Sequence, residues 1–133
     1  MRRILPLTAI AAAVVLALPS AASARLTPDA ELDKLLAGRV AGKPVECLSL
    51  PNVTGNTIVE GRAIVYRVGT RLYVNVPPDG ARQLHRDDII VTRTFGTNLC
   101  RRDVIRLLDR TSTIPHGFVS LGRVVPYTKP KTN

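Results

Sequence analysis

From Val45 onward the apolar residues of this 133-residue chain recur at every second position, a period that confines it to short β-strands. Leu72, Val74 and Val76 alternate with Arg71, Tyr73 and Asn75, which predicts a strand with one wet face. Before it, Ala63-Ile64-Val65-Tyr66-Arg67-Val68 is apolar on nearly both faces and is placed centrally. Gly69-Thr70 between the two suits a two-residue hairpin, because glycine accepts the positive φ that a type II′ turn requires. Pro77-Pro78-Asp79-Gly80 ends the second strand: proline lacks the donor, and Asp-Gly favours a turn. Ile89 to Phe95 is rich in β-branched residues and predicts a third strand. Phe118 to Leu121 and Arg123 to Tyr127 read as two short closing strands around Gly122, and the polar tail from Thr128 is expected to fray.

Residues 26–42 carry the strongest helix signal. Thr27 caps, Pro28 suits the first turn, and Asp29, Glu31 and Asp33 sit near the positive end of the helix dipole. Leu32, Leu35, Leu36 and Val40 share one face, with Gly38 and Gly42 as stops.

Ahead of that helix the chain reads as a cleavable export signal, residues 1–24. Arg2 and Arg3 begin it, an apolar run follows to Leu18, and Ala22-Ser23-Ala24 supplies the small residues that a signal peptidase accepts. The run is shorter than the roughly 20 apolar residues an anchor needs. A periplasmic or secreted address is therefore expected, with Arg25 as the new N-terminus. The remaining chain is long enough for one domain, 43–127, behind the helix of 25–42. An exported address also lets disulfides persist, and Cys47 and Cys100 are the only cysteines. Joined, they close a loop of 52 intervening residues, a constraint that contributes about 4 kcal/mol in the chain-entropy account. A redox pair is the alternative, but C-x-x-C spacing is missing.

Without Arg2 and Arg3 the 19 basic residues become 17, against 10 acidic, a balance of +7 that favours anionic partners. The charges are scattered, and Arg101-Arg102-Arg106-Arg110, the densest group, reads as a solvated face. Arg71, Tyr73 and Asn75, with Arg62 and Arg67 on the neighbouring strand, form the one surface with binding chemistry. Arginine beside tyrosine stacks on or grips an anionic sugar or lipid headgroup. Nucleic acid fits an exported address poorly.

Catalytic groups are few. His85 lies beside Asp87 and Asp88, and His116 is 31 residues further on. Zinc would want a third protein ligand, and the cysteines are assigned to the disulfide. The expectation is a polar loop running into a strand, with no metal and no cofactor. Ser49, Ser112 and Ser120 lack a nucleophile elbow, and the adjacent Asp87-Asp88 would point to opposite faces of a strand.

Three segments resemble a family of small exported Gram-negative proteins grouped as a domain of unknown function. They are Cys47-Leu48-Ser49; Ile64-Val65-Tyr66 with Arg71-Leu72-Tyr73-Val74; and Leu99-Cys100 with Asp103-Val104-Ile105. Periodicity alone leans toward a helix over Cys100 to Asp109, where Val104, Leu107 and Leu108 share a face. The resemblance implies a strand there, within a compact β-rich domain, and the strand is adopted. It implies no activity.

These readings converge on a mainly β domain, a partly open barrel or bent antiparallel sheet with one N-terminal helix. The expected role is non-enzymatic: a periplasmic accessory or binding protein whose basic face meets an anionic envelope polymer, a lipid headgroup or a protein partner. A small envelope hydrolase or isomerase, or a disulfide-stapled inhibitor of a secreted enzyme, is the runner-up.

Overall fold

The computed structural model describes residues 23–132; the charged start and apolar run of the expected export signal lie outside the described residues. Helix α1 (Pro28–Leu36) begins as expected, with the Thr27 hydroxyl accepting from the Ala30 amide at 3.2 Å and Pro28 in the first turn. It ends sooner than expected. Gly38 turns the chain at φ +71, and Val40 and Ala41 form strand β1, so Val40 is an exposed strand residue and not part of the helix's apolar face.

Nine further strands follow: β2 (Cys47–Ser49), β3 (Gly55–Val59), β4 (Ala63–Val68), β5 (Arg71–Asn75), β6 (Ile89–Thr92), β7 (Asn98–Cys100), β8 (Val104–Leu108), β9 (Pro115–Ser120) and β10 (Val124–Thr128). They make three antiparallel sheets, ordered β1-β10-β5-β4-β3, β2-β7 and β6-β8-β9, none of them closed among the described residues. The chain is thus a mainly β domain with one helix. Among the described residues no helix is long and apolar enough to cross a membrane.

The five-stranded sheet is covered on both faces, which explains the continuous apolar run of β4. Val59, Ala63, Val65, Leu72 and Val74 point to one side and meet Leu32, Leu35 and Leu36 of α1. Ile58, Ile64, Tyr66 and Val124 point to the other, where Leu48, Leu99, Ile105, Leu107 and Val119 arrive from the two smaller sheets. The β4–β5 hairpin turns at Gly69, φ +57, while Thr70 keeps a negative φ, as a type II′ turn requires.

Cys47 and Cys100 stand opposite each other in the β2–β7 ladder and are joined by a disulfide. Residues 104–108 are a strand, against the helical lean of their periodicity: Ile105 and Leu107 are wholly buried while Val104 and Arg106 are exposed. The third predicted strand stops at Thr92, so Arg93 to Phe95 lie in the loop that leads to β7, with Phe95 fully exposed.

Candidate functional site

The surface expected from Arg62, Arg67, Arg71, Tyr73 and Asn75 does not assemble. Asn75 is fully buried, with its Nδ2 donating to the Gly122 carbonyl at 2.9 Å and its Oδ1 accepting from the Gly122 amide at 3.1 Å. Tyr73, opposite Tyr66 on β4, packs against the larger core. Arg67 is paired with Leu72, so it belongs to the opposite, helix-covered face. Arg62 caps a turn beside β4 and bonds Asp29 of α1 at 2.6 Å. Only Arg71 keeps an open position on the predicted face. The physical reason is that the five-stranded sheet has no wet face: alternation separated two sets of side chains, and each set is covered by a different layer.

The exposed sheet face lies elsewhere, on the outer side of β6-β8-β9. Register pairs Arg106 with Val91 on one side and with Phe118 on the other. The Arg106 guanidinium sits 5.4 Å from the centre of the Phe118 ring. Val91, Arg93, Val104, Arg106 and Phe118 line one shallow hollow, and Val104 and Phe118 are each more than half exposed. Six of the other eleven arginines among the described residues are engaged through their side chains. Arg101 and Arg123 share Glu46, Arg86 grips Glu31 through both nitrogens, and Arg110 donates to the Asp87 carbonyl. Arg86 holds the Glu31 carboxyl below the usual carboxylate range. Among the described residues neither Arg93 nor Arg106 has a carboxylate within ion-pair distance. The predicted cluster Arg101-Arg102-Arg106-Arg110 is therefore split, and Arg106 alone of the four joins this face.

At one end of the same sheet, the structure brings together His85, Asp88 and His116, which the sequence offered as a metal site only as the alternative to a polar loop. Their ligand atoms lie within 4.8 Å of one another. His116 Nε2 is 2.8 Å from Asp88 Oδ1, and His85 Nδ1 is 3.8 Å from the same oxygen. The two imidazoles stack, with centres 4.8 Å apart. Asp88 is almost fully buried, and its Oδ2 accepts from the His85 backbone amide at 2.8 Å. His116 reaches it through an irregularity in β9. Leu107 pairs with Gly117 but Leu108 pairs with Pro115, so His116 is an extra residue with no direct partner on β8. Such a bulge re-aims a side chain. The linear signal was weak because 28 residues separate Asp88 from His116; only the β8–β9 register reveals their proximity.

The loop that delivers His116 is itself fixed. Asp109 Oδ1 accepts from the Thr111 and Ser112 amides and from the Ser112 hydroxyl. The Ser112 amide and hydroxyl, with the Thr111 amide, hold the Asp109 carboxyl below its usual range.

The largest hollow described, about 790 Å³, is lined by Leu26, Glu31, Lys34, Glu60, Arg86 and Asp87 among others. It offers both signs of charge, and Arg86 there is already bound to Glu31.

Comparison with family models, curated proteins and solved structures found no match.

Proposed function

We propose that this protein is an exported, non-enzymatic binding module of the periplasm, whose outer β6-β8-β9 face docks onto an anionic lipid surface. The observation that carries the reading is the pairing of Arg93 and Arg106, free of carboxylate partners among the described residues, with exposed Phe118 and Val104 on one face. The export signal and the positive balance of the mature chain support it.

Apolar side chains and arginine on one face match the boundary between headgroups and acyl chains. An acidic polysaccharide would engage the arginines but would leave Val104 and Phe118 without an apolar partner. Each basic residue near an anionic leaflet contributes about 1 kcal/mol, and burying an aromatic ring adds roughly 1.5–3 kcal/mol. A few such groups give reversible binding that weakens with salt. Phe95, fully exposed two residues beyond Arg93, adds a second ring on the same loop.

The test is co-sedimentation of the mature protein with vesicles. Binding to phosphatidylglycerol-containing vesicles, little binding to phosphatidylcholine vesicles, and loss in Arg93→Glu/Arg106→Glu would support the proposal. Equal binding by the charge-reversed variant, or binding to an acidic polysaccharide with none to lipid, would overturn it.

A further inference from the structure

The cluster at the end of this sheet carries an inference independent of lipid docking. We propose that His85, Asp88 and His116 form a binding site for a divalent first-row transition metal, zinc being the natural probe.

Two imidazoles and one carboxylate are the donor set that zinc and its neighbours accept. A zinc ion held tetrahedrally at 2.0–2.1 Å from each donor needs those donors about 3.3 Å apart. The two separations from Asp88 Oδ1, 2.8 Å to His116 Nε2 and 3.8 Å to His85 Nδ1, straddle that value. All three donor atoms lie within 4.8 Å of one another, so binding requires the two imidazoles to draw together and His116 to give up its direct bond to Asp88.

Three features of the fold prepare the site. The Asp88 side chain is 3% exposed, and its Oδ2 is bound to the His85 amide, which aims Oδ1 at the two rings. That is the supporting hydrogen bond which orients a ligating carboxylate. The extra residue in β9 presents His116 to the same oxygen. His85, with a side chain 62% exposed, is free to close on a metal without disturbing the core.

A simpler account is that Asp88 and His116 merely satisfy each other's hydrogen bonding. That account gives His85 no role, although its Nδ1 also faces Asp88 Oδ1 and its ring stacks on that of His116. Three protein ligands leave the fourth zinc position for water, the arrangement of an open zinc site.

The test uses the tag-free mature protein, zinc chloride, and a competing fluorescent chelator. The expected result is one zinc per chain, with at least about tenfold weaker binding in His85→Ala and in His116→Ala. His85→Ala removes an exposed side chain, so its zinc-free melting temperature is expected to match the wild type. A second readout needs no variant. The chain has only two histidines, and zinc should shift the ring resonances of both in the wild-type spectrum. Absence of stoichiometric binding, unshifted histidine rings, or wild-type affinity in His85→Ala would overturn the proposal.

Discussion

Asn75 holds the Gly122 turn from inside the domain, satisfying both its amide and its carbonyl. Replacing it by alanine leaves two part-buried backbone groups of Gly122 without this partner. Asn75→Ala should lower unfolding free energy by about 2–3 kcal/mol, read from urea denaturation. Tyr66 is the opposite case. Its hydroxyl is buried with no hydrogen-bond partner among the described residues, and burial pushes its pKa up from 10.0. Tyr66→Phe should therefore be neutral or stabilising by up to about 1 kcal/mol. The pH dependence follows from the direction of the shift. Above pH 10 the unfolded chain releases the phenolic proton while the folded chain retains it, so stability falls as pH rises. Thermal melts above pH 10 should decline less steeply in Tyr66→Phe than in the wild type; equal slopes would contradict this. Asn75 also shows where residue-level reading stopped. The alternation grouped it correctly with Tyr73 and Arg71. Whether that set faced water depended on β6-β8-β9 and β2-β7 folding over it, which no local pattern encodes.

At the scale of elements, strands were the most legible. β4, the Gly69 turn and the start of β6 lie where composition put them. The pieces β1, β2, β3 and β7 were not singled out: three of them have only two or three residues, and β3 opens on Gly55-Asn56-Thr57, letters that suit a loop as well. Over residues 100–109 a helical face and a buried strand share the same apolar letters, and tertiary pairing with β6 and β9 decides for the strand. The neighbouring loop shows how tightly that sheet is held. Gly80 has φ +82, and a Cβ there would lie 2.3 Å from the Phe118 carbonyl oxygen. Gln83 then borders β9, donating to the Phe118 carbonyl and accepting from its amide. Gly80→Ala combines strain with a backbone clash and should cost at least about 2–3 kcal/mol. Gln83→Ala, which loses only exposed hydrogen bonds, should cost about 1 kcal/mol. Chemical denaturation of the two variants checks both the size and the order.

Over the whole molecule, the five-stranded sheet separates two cores. The disulfide ties β2 to β7 on their outer side, with Cys47 exposed, while the adjacent Leu48 and Leu99 are buried in the larger core. Paired cysteines were legible from number and expected address alone. Breaking the bridge by Cys47→Ser/Cys100→Ser should lower stability by about 4 kcal/mol, and an unchanged denaturation midpoint would contradict that. Function was less legible than fold, because both candidate sites belong to the β6-β8-β9 sheet as assembled. Arg106 meets Phe118, and His116 meets Asp88, only once β8 has paired with β9 and β6.

Docking of this face on anionic lipid can be read from a reporter placed within it. The chain contains no tryptophan, so Phe118→Trp supplies a single fluorophore beside Arg106. The account predicts a blue-shifted emission on adding phosphatidylglycerol vesicles, reversal by salt, and no shift with phosphatidylcholine. An emission maximum unchanged by anionic vesicles, in protein that sediments with them, would show that another surface makes the contact. An unchanged maximum without sedimentation would remove lipid docking altogether.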